Sequence, residues 1–129
     1  MPRSRQTCFV LVSVLLLLLV TGCGPSRAEV MEKLVSKEEN KLHMHLFSDS
    51  QDWPAEVNEI YNNEPVLLEH IKQVSVHYEE NKLKWLKALG LEEKRPMIVI
   101  VDGKQLVYHT SDPGKLKEFA DILAASPNQ

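Results

Sequence analysis

Hydrophobic and polar positions divide the chain into a front run and a patterned remainder. Phe9 to Val20 is apolar except for Ser13. Arg3 and Arg5 precede this run, and Thr21, Gly22, Cys23 and Gly24 follow it. A positive start, an apolar middle and a small-residue end are the order of an export signal. Beyond it the pattern turns periodic. Leu42, Met44 and Leu46 alternate with His43, His45 and Phe47, which predicts a strand over 41–47. A helical pattern runs from Trp53 through Val57, Ile60 and Tyr61 to Leu68 and Ile71, with a break expected at Pro65. Val74, Val76 and Tyr78 alternate in a second strand over 74–80. Asn81 is placed to cap a helix reaching about Leu91, with Leu83, Leu86 and Leu89 inward. Met97 to Val101 is an unbroken apolar run, the mark of a strand buried on both faces. Asp102-Gly103 predicts a two-residue hairpin turn with positive φ at the glycine, and 105–110 the returning strand. Asp112-Pro113 opens a last helix whose stripe is Leu116, Phe119, Ala120 and Leu123. The order is β-α-β-α-β-β-α, an α/β class with a mixed four-stranded sheet and helices on both faces.

Val20-Thr21-Gly22-Cys23 resembles the lipobox of bacterial lipoproteins, in which an aliphatic residue and two small ones precede a cysteine. The resemblance implies that a diacylglyceryl group is joined to the Cys23 sulfur and that the chain is cut after Gly22. Residues 1–22 are then a signal peptide, 23–40 a lipidated tether and 41–126 the folded domain. The implied location is the cell membrane, lipid-anchored, on its extracytoplasmic face, with palmitate or a similar acid on the anchor. The alternative is an uncleaved membrane span, since 7–24 contains 18 residues without a charge. The tether also has two readings. Residues 28–39 have Met31, Leu34 and Val35 on one helical face, so they either pack on the domain or stay flexible.

Charge and cysteine count narrow the function. Loss of Arg3 and Arg5 from the 15 basic residues leaves 13 against 18 acidic, a net charge near −5 with no basic cluster. Nucleic acid is therefore not an expected partner. The two cysteines are Cys8 and Cys23. The first leaves with the signal and the second carries lipid, so the mature domain has neither a free thiol nor a disulfide.

The run Leu89-Gly90-Leu91-Glu92-Glu93-Lys94-Arg95-Pro96-Met97-Ile98-Val99-Ile100-Val101-Asp102-Gly103-Lys104 resembles the thioredoxin-like superfamily. There a helix ends in an aliphatic–Gly pair, a proline opens a buried strand, and a D-G-K hairpin follows. The resemblance spans about 41–125 and implies that Pro96 is the cis proline facing the family's active site. The chain departs from the family where it matters chemically. Thioredoxins carry Cys-x-x-Cys after the first strand. Here that stretch is Ser48-Asp49-Ser50-Gln51-Asp52-Trp53-Pro54-Ala55. Disulfide exchange needs a thiolate, and serine does not replace it. The expectation is a non-enzymatic binding or scaffold module of the cell envelope, without cofactor. The small lipoproteins it resembles include peptidoglycan-associated ones, which implies the cell wall or an envelope protein as partner.

Two constellations stand against that reading. His43 and His45 share a strand face, and His77 on the next strand would join them as ligands for Cu or Zn. The alternative function is accordingly a metal-binding or accessory factor in envelope redox or copper handling. The bland reading is a stack of partly exposed histidines. Asp49, Asp52 and Glu56 cluster at the family's active-site position, where a pocket beside Pro96 would make them catalytic. Helix capping and dipole compensation explain them otherwise.

Overall fold

The computed structural model describes residues 24–125. Its elements are α1 (Arg27–Leu34), β1 (Leu42–Phe47), α2 (Asp52–Asn62), α3 (Pro65–His70), β2 (Ile71–His77), α4 (Leu83–Ala88), β3 (Met97–Val101), β4 (Leu106–Thr110) and α5 (Lys115–Ala125). The strands form one sheet in the order β2-β1-β3-β4. β1 runs parallel to β2 and antiparallel to β3, and β3 is antiparallel to β4.

The alternation along β1 divides the core between two faces. Met44 and Leu46 join Ile98 and Ile100 under α2, α3 and α5, whose Val57, Leu67, Leu116, Phe119 and Leu123 fill that side. Phe47, Met97, Val99 and Val101 look the other way, toward Val30, Met31 and Leu34 of α1 and Leu86 of α4. With neighbours on both edges and helices on both faces, β3 is buried along its whole length. That is why its five residues needed no polar alternation.

Of the two readings of residues 28–39, packed on the domain or flexible, the packed one applies, and it moves the start of the folded unit. Residues 27–34 are a helix with Val30 and Leu34 wholly buried, so the folded unit starts at Arg27 and not at Lys41. Ser26 caps α1 by accepting the Glu29 N–H at 3.2 Å. The sheet face left open by the short α4 supplies the reason for docking: without α1, Phe47 and Val99 would lie bare to water.

Smaller shifts follow from local chemistry. Pro65 sits at the start of α3, where its missing N–H costs nothing, so the long helical pattern splits in two. β2 begins at Ile71, three residues earlier than the alternation suggested, and ends at His77. Asn81 caps nothing; it lies inside a 3₁₀ turn, Glu80–Lys82, that leads into α4. The β3–β4 turn is not of the positive-φ kind, since among the described glycines only Gly24 and Gly90 have positive φ. Instead the Asp102 carboxylate accepts the N–H groups of Lys104 and Gln105, both at 2.7 Å, and holds a wider loop. α5 starts at Lys115 after a turn in which Asp112 Oδ1 accepts the Gly114 N–H at 2.9 Å.

Candidate functional site

Two places follow from the strand layout: the end of the sheet where β1 meets α2, and the polar strip that β1 and β2 present to α1.

At the sheet end, β1 leads through 48–51 into α2, and Met97 lies opposite Phe47. The residue before Met97, Pro96, therefore stands beside the β1–α2 junction, and the Arg95–Pro96 peptide bond is cis. Ser48 is wholly buried, but its hydroxyl is committed locally, donating to the Ser50 carbonyl at 2.7 Å and accepting the Ser50 N–H at 3.1 Å. Asp49, Asp52 and Glu56 are exposed. No side chain caps the start of α2, so of the two bland roles only the dipole one, for Asp52 in the first turn, applies. Trp53 is half-buried against the first core and Trp85 against the second. An open recess at this end is lined by residues 90–92, Lys94, Met97 and residues 109–111. None of the three carboxylates lines it.

On the α1 side, His43 and His45 point into the same interface as Phe47, and His77 meets them from β2. The ring faces of His43 and His45 stack at 3.9 Å between centroids. His45 Nδ1 and His77 Nε2 are 2.9 Å apart, while the ring centroids are 5.2 Å apart and the planes differ by 14°. The centroids being so much farther apart than the nitrogens, these two rings meet edge to edge. His45 Nε2 lies 2.7 Å from the Leu34 carbonyl at the end of α1. A carbonyl only accepts, which settles the proton positions. His45 Nε2–H donates to Leu34. The bare His45 Nδ1 accepts from His77 Nε2–H. The bare His77 Nδ1 then faces Lys82 Nζ, a donor, at 3.4 Å. Lys82, His77, His45 and Leu34 form one directed relay from a half-buried ammonium to a helix-end carbonyl. His43 stands beside it, with Nε2 2.7 Å from the Ser75 hydroxyl and no hydrogen-bond partner at its buried Nδ1.

Burial dominates the titration of all three rings. It depresses the His45 pKa to about 3, against the pull of the Leu34 carbonyl and helped by the nearby His43, His77 and Lys82. It depresses His77 to about 4, helped by Lys82 and opposed by Glu79. His43 is lowered as well, burial outweighing the Val35 carbonyl, which favours the protonated ring. Neutral rings are what the relay requires.

The histidines thus converge, yet as a hydrogen-bonded relay and not as a ligand set. A metal needs several in-plane lone pairs aimed at one point. Here the His45 lone pair is spent on His77, the His77 one faces Lys82, and the His43 ring lies face-on to His45. Among the described residues no group of three or more His, Cys, Asp or Glu side chains is arranged to hold a metal. Sequence reasoning found the three rings but not Lys82, Ser75 or the Leu34 carbonyl. The period-2 pattern of β2 pointed toward Ser75; nothing in the sequence signalled the other two.

The signal segment 1–22, the cut before Cys23 and the lipid on Cys23 lie outside the described residues, as does all but Gly24 of the alternative span over 7–24. Among the described residues no helix is long and apolar enough to cross a membrane.

The fold is thioredoxin-like. The chain is similar to the crystal structure of thioredoxin (Mala s 13) from Malassezia sympodialis, with a TM-score of 0.50 and 15% identity, over 78% of this chain and 87% of that one. No protein-family model matches the chain, and no curated protein does.

Proposed function

We propose that this protein is a lipid-anchored, non-catalytic component of the bacterial cell envelope, in which a thioredoxin-like domain serves as a binding or scaffold module. The observation that carries the reading is the β1–α2 junction. The segment that bears the thiol pair in thioredoxins is here Ser48 to Ala55, without sulfur, and the buried Ser48 hydroxyl is tied to its own loop. The chain's two cysteines, Cys8 and Cys23, both precede the domain. Cys23 closes a lipobox, so its thiol is assigned to lipid and not to exchange. Two acyl chains hold a protein stably on a bilayer where one does not, at ~0.8 kcal/mol per buried methylene. The partner this reading favours is the cell wall or a protein bound to it.

The test compares the parent with Cys23→Ala in cells fed a labelled fatty acid. The parent takes up label and sediments with membranes; the variant takes up none. A variant that is still labelled and still cleaved would remove the basis of the proposal. With dithiothreitol as reductant, the purified domain is expected to leave the rate of insulin disulfide reduction at that of dithiothreitol alone.

A further inference from the structure

We propose that the histidine relay is an acid-operated latch on α1: protons entering it release the helix from the sheet while the sheet itself stays folded.

The geometry has no place for an added proton. Suppose His45 gains one at Nδ1. It then presents N–H to His77 Nε2, which must become the acceptor, so that His77 carries its own proton at Nδ1 against the Lys82 ammonium 3.4 Å away. Suppose instead that His77 gains one at Nδ1; the same clash appears directly. A second proton sets N–H against N–H across the 2.9 Å His45–His77 contact. The surroundings offer little relief. Lys82 borders His77 and is itself held by Glu79 at 3.1 Å, the one carboxylate at the relay's outer end. Lys37 adds positive charge near His43. From α1, Lys33 lies over the Trp85 ring at 5.5 Å, and Lys82 over the same ring at 4.8 Å.

What yields is decided by how each neighbour is held. β1 and β2 are locked in a parallel ladder, His45 beside Ser75 and Phe47 beside His77, so the two rings do not part by strand movement. α1 has no ladder. Its ties are three buried side chains, the His45–Leu34 bond, the Arg27 bond to the Leu89 carbonyl at 3.5 Å, Lys33 over the Trp85 ring at 5.5 Å and, just past the helix, the Ser36 N–H on the Asp102 carbonyl at 3.0 Å. Lifting α1 is thus the movement that lets water reach a charged His45. The consequence for reach rests on the lipid anchor proposed above. Docked, α1 leaves three residues, 24–26, between Cys23 and the folded unit. Released, 17 residues from Gly24 to Asn40 separate them, an r.m.s. span of about 20–25 Å.

The test is amide hydrogen exchange on the full chain in detergent at pH 7.5 and 5.0, corrected for intrinsic rates. Protection over 27–34 is expected to fall at least tenfold more than protection over 97–101. His77→Gln keeps a donor toward His45 but removes one titrating ring, and Lys82→Met removes the ammonium that opposes protonation. Each is expected to shrink the acid loss of α1 protection. Protection over 27–34 that is unchanged at pH 5.0, or that falls in step with 97–101, overturns the latch. So does an acid loss that neither variant reduces. Exchange in α1 is read whether or not Cys23 carries lipid, so failure here is separate from failure of the anchor.

Discussion

Leu34→Ala tests whether α1 belongs to the domain. Leu34 has no exposed surface and lies among Val30, Phe47, Leu86 and Val99, themselves all but fully buried. Truncation removes three carbons from a dry interface and leaves a void bounded on one side by the rigid sheet. Buried Leu→Ala changes cost about 2–5 kcal/mol. The helix can settle slightly toward the sheet, which puts the expected loss near 3 kcal/mol. The Leu34 carbonyl is backbone, so its bond to His45 survives the change and the loss reports packing alone. In a urea melt at pH 7.5, with a slope of ~1.5 kcal/mol/M, the midpoint moves down by about 2 M. Lys37→Ala, at an exposed position just beyond the helix, serves as control and should move it little. If Leu34→Ala melts within ~0.5 kcal/mol of the parent, α1 is not docked, and a domain beginning at Lys41 is correct after all.

Other outcomes follow from the same structure. Phe119 is 2% exposed and stacks on Tyr108 at 4.7 Å, so Phe119→Ala should lose about 3–5 kcal/mol in the same melt; a parental midpoint would mean that α5 does not pack. The depressed histidine pKa values make stability fall with acid. The unfolded chain binds protons from about pH 6.5 downward, whereas folded His77 and His45 resist until about 4 and about 3, so stability is whole above pH 6.5 and is lost across that window. At ~1.4 kcal/mol per unit per ring, with the His77 part halved for its exposure, the loss from pH 7.5 to 4.5 is about 4 kcal/mol. A flat urea midpoint across that range would show the rings titrating normally in the folded state. Calorimetry with Zn²⁺ or Cu²⁺ at pH 7.5 should find no sub-micromolar site, because the relay occupies the His45 and His77 ring nitrogens and Ser75 holds His43 Nε2; tight binding abolished by His43→Ala would contradict that.

How much of this was legible in the sequence depended on how local each cause is. The β3 run and the α5 stripe show their burial directly, because every residue of Met97–Val101 and each of Leu116, Phe119, Ala120 and Leu123 is apolar for one reason. The alternation of β1 was legible too, and helices were expected on both faces, but not which helix covers the histidine face, which looked half-exposed until α1 was placed over it. α1 itself was ambiguous: Val30, Met31 and Leu34 make a short stripe, and only the open sheet face above α4 decides that it docks. The Asp102 loop was misjudged because Asp-Gly favours two turn chemistries, and the carboxylate bonds to Lys104 and Gln105 prevailed over the glycine's freedom. The relay joins Leu34, His45, His77 and Lys82 across four elements, and its direction depends on a backbone carbonyl that no side-chain pattern encodes.

In the proposed function the domain is held to a membrane through the cysteine that precedes it. That attachment is tested most directly by the intact mass and N-terminal peptide of the protein purified from cell envelopes. A mature chain that begins at Cys23 is expected, with a net mass gain equal to a diacylglyceryl group on its sulfur. A chain that still begins at Met1, or one that begins at Cys23 with a free thiol, would contradict it.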